Sequence, residues 1–284
     1  MTIAACYLCP EGVVFGADST TTFGNRYYNH AQKIFEVGGR GSSLGIVIWG
    51  LGGLGSISYR SLIWQFAEQN KNAPTATVQE VANRFAQFFW PHYATHMAIP
   101  IARFQQLAAQ AQLNPAELEE RQTLFGNLSG GFCLGGNLRH DHTPQSYIIS
   151  YGPALQAATV NPVLMCQPVF WGQPSMIQRL FSGIDEGLFR DILQSGRWNG
   201  TPADLLNLVN QRRLSVPGPL PIREAVDLVY ASLYSTIKTL KFSQLAPVCG
   251  GPIEIAVITT DRPFRWVRHK KFDTAMPFGE SPNA

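Results

Sequence analysis

Charge is scarce in this 284-residue chain: Asp, Glu, Lys and Arg together make up 14% of it, against about a quarter in ordinary soluble domains. The formal net charge of +3 is too small and too scattered to mark a nucleic-acid surface. Long apolar runs are absent. None approaches the roughly 20 residues needed to cross a bilayer, and the N-terminus lacks the basic start and extended apolar segment of a signal peptide. These absences predict a cytoplasmic protein with no nucleic-acid or membrane partner. Cysteine is limited to Cys6, Cys9, Cys133, Cys166 and Cys249. Most sit in apolar, strand-like runs, so reduced core thiols are expected rather than a disulfide framework. Cys6-x-x-Cys9 has neither a second Cys pair nor a nearby His to complete a metal or redox site. His140 and His142 fall in a polar connection that reads as an exposed loop. GxSxG and HExxH motifs are missing, and no internal repeat is evident. Gly50 to Gly55 (GLGGLG) has the spacing of a dinucleotide-binding loop and follows a strand. The acidic residue due about 20 positions later is not there, and the next strand does not return in parallel.

What the chain does have is apolar bulk: 45% of it is hydrophobic, enough for a large core in one elaborated domain or two modest ones. With so little charge, the surface is either covered by partner subunits or rich in Gln, Asn, Ser and Thr; oligomerisation is the stronger expectation. Ile3 to Leu8 and Val13 to Phe15, joined by the turn Cys9-Pro10-Glu11-Gly12, read as a β-hairpin. Leu44 to Trp49 reads as a buried strand, and Ser56 to Gln69 as a helix with Ile57, Leu62, Ile63 and Phe66 on its apolar face. Helical periodicity runs from Thr77 to about Gln112, with Pro91 and Pro100 expected to kink or divide it. Asn114-Pro115 opens a short helix through Arg121, Asn114 being its N-cap. Strands are predicted at Gly131 to Leu138, Ser146 to Tyr151 and Val163 to Trp171, then helices at Met176 to Phe181 and Ala203 to Arg213. A further amphipathic helix follows from Ile222, and Ile253 to Thr260 reads as an alternating strand. Strands come in hairpins rather than in alternating βα units, which predicts an α+β protein with layered antiparallel sheets.

Three positions in the first 37 residues stand out chemically. Thr2 lies behind only Met1, Asp18 closes the second strand, and Lys33 opens another apolar run. A Thr whose own α-amine serves as base, assisted by an acid and a Lys, makes a complete threonine nucleophile.

The same residues carry a family resemblance. Gly12-Val13-Val14-Phe15-Gly16-Ala17-Asp18, Lys33-Ile34 and Ile46-Val47-Ile48-Trp49-Gly50, with Thr2 ahead of them, resemble a proteasome β-type subunit. These are N-terminal-nucleophile (Ntn) hydrolases, and the likeness is to their bacterial proteasome-like homologues. Thr22-Phe23-Gly24-Asn25 is similar to the "TLGN" of those relatives. Cys249-Gly250-Gly251, followed by Ile253 to Thr260, is similar to the family's "SGG" and last strand. The likeness is specific over residues 2 to 50 and thinner, though still in order, beyond them.

The resemblance implies a four-layer αββα sandwich of two antiparallel sheets forming a single domain over 1–284. Helical segments are added near 75–125 and 185–220. It implies a threonine peptidase without cofactor or metal that acts through an acyl-enzyme on Thr2 once Met1 is removed. Lys33 would stand by as a cation, Asp18 would orient it, and the Gly50 backbone N–H would donate to the oxyanion. Thr22, Ala31 and Ile48 fall near substrate-binding positions, and Ala31 with Ile48 implies an apolar first pocket. A peptide or protein substrate and a homo-oligomeric ring are expected, an unfoldase partner being left open. Where the family has an Asp and a Ser ahead of its final Gly-Gly, this chain has Ala246 and Cys249. Its Gly-Ser-Gly turn Ser is not matched either, leaving Cys249, Ser175 or Ser243 as stand-ins. That altered support keeps two alternatives in view: a catalytically inactive ring or scaffold subunit, and a small-molecule amidase or acylase.

Overall fold

The turn at Pro10 and Glu11 closes a hairpin of β1 (Ala4–Cys9) and β2 (Gly12–Ala17), in register from Ala4 opposite Ala17 to Cys9 opposite Gly12. The computed structural model describes residues 2–23, 26–39, 41–73, 77–138, 143–216, 218–244 and 248–270. After the hairpin come the short pair β3 (Thr21–Phe23) and β4 (Arg26–Tyr28), then β5 (Ile34–Glu36) and β6 (Leu44–Gly50). Four helices follow: α1 (Tyr59–Asn70), α2 (Val78–His96), α3 (Ala98–Ala108) and α4 (Pro115–Leu128). The middle of the chain supplies β7 (Gly130–Gly136), β8 (Gln145–Tyr151), β9 (Thr159–Pro162) and β10 (Pro168–Trp171). The helices α5 (Ser175–Ser182), α6 (Glu186–Gln194), α7 (Pro202–Arg212) and α8 (Ile222–Phe242) lead to β11 (Glu254–Thr259) and β12 (Arg262–Arg268).

The protein is α+β. Two five-stranded sheets, ordered β10-β1-β2-β11-β12 and β5-β6-β7-β8-β9, are antiparallel at every pairing. Every residue of β1 and β2 is buried, because successive side chains on a strand point to opposite faces and both faces are covered here. Ala4, Cys6 and Phe15 join a cluster with Val47 and Cys133 of the other sheet. Tyr7 and Val14 join a second cluster with Val229 and Leu233 of α8. The far side of the other sheet packs Ile46, Phe132 and Ile149 against Phe66, Phe85 and Phe89 of α1 and α2.

The helix starts follow from capping. Ser58, Thr77 and Asn114 each accept a backbone N–H from the first turn of α1, α2 and α4, and Asn114 with Glu117 forms a reciprocal capping box.

Several expected boundaries move. Pro91 lies inside a continuous α2, and the break falls at Met97 instead (φ −107°, ψ 15°). Pro100 then occupies the first turn of α3, where a missing N–H costs nothing. The helix from Pro115 continues to Leu128, well past Arg121. Of the strand expected over 163–171 only the last part forms, as β10 from Pro168; β9, in the other sheet, already ends at Pro162. Between them Cys166 has φ +62°. β11 is buried along its whole length rather than alternating, because β2 and β12 flank it and its two faces belong to two cores. It is not the last strand: β12 follows it, with Arg262, Arg265 and Arg268 set among Phe264 and Trp266. α6 and α7 fall within the stretch near 185–220 where added helix is expected.

All five cysteines are free thiols. No described helix is long and apolar enough to cross a membrane.

Candidate active site

Strand register sets Thr2 in place. With Ala4 opposite both Ala17 and Trp171, residues 2 and 3 run between the end of β2 and the turn after β10. Asp18 grips this segment twice: its N–H donates to Ile3 O (3.1 Å) and its Oδ1 accepts from Ile3 N–H (3.1 Å). On the other side Gly172, at φ +87°, packs so closely that a Cβ there would lie 1.8 Å from Thr2 O. Only Gly fits, for both the backbone angle and the space. Gly172→Ala is therefore expected to push Thr2 out of position; under the hydrolase reading proposed below it would cut turnover by about a hundredfold, the usual effect of a displacement of about 1 Å. Steady-state kinetics on the purified variant checks this, and unchanged kcat would show that Thr2 tolerates the shift.

Asp18 is fully buried and accepts four hydrogen bonds: Ile3 N–H, Lys33 Nζ (2.6 Å), Thr20 N–H (3.1 Å) and Gly250 N–H (2.9 Å). Lys33, nearly as buried, also donates to Thr20 O (2.5 Å). Burial lowers the Lys33 pKa from the usual lysine value, while the Asp18 charge and hydrogen bond oppose the drop. Thr2, Asp18 and Lys33 thus belong to one buried assembly at the ends of β1, β2 and β5.

Gly50 joins them through the cleft. Thr2, Trp49, Gly50, Gly52, Ser129, Gly130 and Gly172 all line one cavity of about 1110 Å³. Along β6 the backbone amides alternate in direction. Ile48 N–H donates to Lys33 O (2.9 Å) and Leu51 N–H to Ser129 O (3.2 Å) on the opposite side. Gly50 has the parity of Ile48, and β5 begins only at Ile34, so its N–H points past the end of that strand. Its φ of +82° and a Cβ position 2.4 Å from Ser129 O again admit only Gly. Trp49 stacks on Trp171 across the two sheets, with centroids 4.2 Å apart, and walls the cleft.

The remaining expected positions divide. Cys249 is buried beside the assembly. Burial, reinforced by the Asp18 charge, pushes its thiol up to about 12, so it stays protonated. Ser175 opens α5 and makes no hydrogen bond to Thr2, Asp18 or Lys33 among the described residues. Ser243 caps α8, its Oγ donating to Leu240 O (3.0 Å). Ala31 donates its N–H to Ser19 O (2.9 Å) and lines an open depression with Thr21, Tyr28 and His30. Ile48 lines a separate cavity. Thr22 lies on β3, but its side chain is outside the described residues, as are Ala246, His140 and His142. Among the described residues no group of three or more His, Cys, Asp and Glu is arranged to hold a metal.

A second charged layer backs the first and had no expected counterpart. Glu254, fully buried at the head of β11, pairs with Lys270 Nζ (2.7 Å), and Lys270 also donates to Ala31 O (3.0 Å) and reaches Ser19 Oγ (3.4 Å). Ser19 Oγ in turn donates to Pro252 O (2.7 Å). His269 Nδ1 lies 2.6 Å from Glu254 Oε1 without hydrogen-bond geometry. A lone Glu before an apolar run was the available signal; its partner Lys270 lies just beyond β12, a strand without an expected counterpart.

No protein-family model matches the chain, and no curated protein matches it either.

Proposed function

We propose that this chain is a threonine-type N-terminal-nucleophile hydrolase of the proteasome β-type architecture. Its reaction class in this reading is amide hydrolysis on peptides. One observation carries the reading: Thr2 and Gly50 line a common cleft, with the buried Asp18–Lys33 pair directly behind Thr2. The helix–sheet–sheet–helix order of the three apolar clusters supports the four-layer αββα assignment.

In this mechanism removal of Met1 frees the Thr2 α-amine, whose ordinary pKa of about 7.7–8.0 suits a general base near neutral pH. The amine takes the Oγ proton and Oγ attacks the scissile carbonyl. The Gly50 N–H receives the developing oxyanion, a donor whose loss costs about 2.7–4 kcal/mol of barrier. The nearby Lys33 cation favours the neutral amine and the alkoxide. The protonated amine then delivers its proton to the leaving nitrogen, and water releases the acyl group. The first test is the intact mass of purified protein, expected to lack the initiator Met. Retention of Met1 in protein that cleaves amides would rule out an amine base at Thr2.

A ring-forming assembly accompanies this reading. α6 buries none of its residues, and Leu188, Leu206 and Leu208 on α6 and α7 are about half exposed. Such patches mark surfaces covered by a partner. Leu188→Glu combined with Leu208→Glu is expected to reduce the particle to monomers by light scattering. A wild-type monomer would end the ring proposal.

A catalytically silent ring subunit is the second reading. The protonated, buried Cys249 favours it, since a thiol in that state supplies neither a base nor a strong donor to the amine.

A further inference from the structure

Beside the Thr2 cleft, with Gly52 lining both, lies a second cavity of about 390 Å³. Its walls divide by chemistry. Phe35, Ile48 and Tyr59 form a buried apolar part, and Arg60 and Lys270 bring cations. Among the described residues no carboxylate lines it. Glu254 is fully buried and faces Lys270 from within the protein. An apolar pocket had been implied by Ala31 and Ile48, yet Ala31 does not line this cavity, and Ile48 shares it with both cations.

The two cations are not equivalent. Lys270 has three N–H donors and three acceptors already around it: Glu254, Ala31 O and Ser19 Oγ. Arg60 is different. Its guanidinium lies 5.5 Å from the centre of the Phe35 ring and donates to Gln32 Oε1. No acidic residue pairs with it among the described residues. An arginine carries five donors in a planar fork that matches a carboxylate, so most remain open to a ligand.

We propose that this cavity selects an acidic group on the substrate, a carboxylate on a short apolar stem such as a glutamate side chain next to the scissile amide. The stem lies on Phe35 and Ile48, and Arg60 receives the oxygens. This rests on the hydrolase reading of Thr2 only for where the amide sits; binding itself does not require turnover.

The test uses Thr2→Ala protein and acetylated, C-terminally amidated tripeptides ending in Glu, Gln, Leu or Lys, measured by calorimetric titration. The Glu peptide is expected to bind at least about tenfold more tightly than its Gln isostere, with the gap narrowing as salt screens the charge. Arg60→Ala should erase the gap, Arg60→Lys should keep part of it, and Arg60→Glu should turn the preference towards the Lys peptide. Equal binding of Glu and Gln, preference for Leu, no binding of any peptide, or a Glu preference that survives Arg60→Ala would each overturn the proposal. Arg60 is exposed, and thermal melts of the three variants confirm that loss of binding is not loss of fold. The two readings fail separately. A Glu preference in Thr2→Ala protein, with no amide cleaved by Thr2 protein, leaves the pocket standing and removes the hydrolase. Cleavage without an acidic preference does the reverse.

Discussion

Asp18→Ala is expected to lower folding stability by about 3–5 kcal/mol, the range for removing one partner of a buried ion pair, and to abolish turnover. The carboxylate is fully buried and accepts from three backbone amides and the Lys33 ammonium. Its removal strands all four donors. It also releases Ile3, the residue that carries Thr2, from one of its two bonds to position 18.

The pH dependence has a definite sign. Burial already holds the Lys33 pKa below 10.5, and the Asp18 charge is what opposes the drop. Without Asp18 the depression deepens. Between that lowered folded-state value and 10.5 the unfolded chain binds more protons than the folded one, so stability rises with pH across this window. The variant should therefore be least stable at the acidic end and recover partly under alkaline conditions. Wild-type protein should show a shallower dependence of the same sign. Adding Lys33→Met should restore part of the loss, because a neutral side chain needs no counter-charge. The double-mutant cycle should give a coupling of roughly 0.5–3 kcal/mol. Urea melts of the four proteins at several pH values decide it. An unchanged midpoint for Asp18→Ala would mean that the pair contributes nothing to the fold.

The second large effect belongs to the hydrolase proposal. Thr2→Ala should lower kcat by on the order of a millionfold, as loss of a catalytic nucleophile does. The melting midpoint should move little, since only a hydroxyl and a methyl are removed from a residue held through its backbone. An electrophile that closes a ring with both the hydroxyl and the α-amine should add its mass to the processed wild type once per chain. It should leave Thr2→Ala unmodified. A processed wild type that resists such a reagent, with the Asp18–Lys33 pair intact, would move the protein to the silent-subunit reading.

Much of the fold was readable in the amino-acid order, for local reasons. The Pro10–Glu11 turn, the Asn114–Glu117 capping box and the apolar spacing from Ile222 each act within a few residues. The hairpin, α4 and α8 all form where those signals stand. The misses share a cause as well. The span from 163 to 171 is apolar enough for one strand, but Val163 still bonds Ser146 of β8 while only 168–171 forms a strand, beside β1, and no local signal encodes which sheet a segment joins. β12 carries so many arginines that its pairing with β11 is decided by register rather than by hydrophobicity. Pro91 fails to break α2 because the aromatic residues Phe85, Phe89 and Tyr93 pack along its length around it.

The site divides in the same way. Thr2, Asp18 and Lys33 could be chosen by residue type and order, since each sits at a strand end, whereas Gly50 was singled out only by the family resemblance. That Asp18 bonds Ile3, Lys33 and Gly250 at once follows only from β1, β2 and β11 lying side by side and the start of β5, in the other sheet, meeting them. The sequence by itself determined which groups are available and the alternation that buries both faces of β1 and β2. Only the tertiary structure decided that Arg60 of α1 and Lys270 after β12, 210 positions apart in the chain, would share a cavity with Ile48. The physical reason is distance along the chain: side-chain periodicity acts over a turn or a strand, whereas a cavity is made where sheets and helices meet.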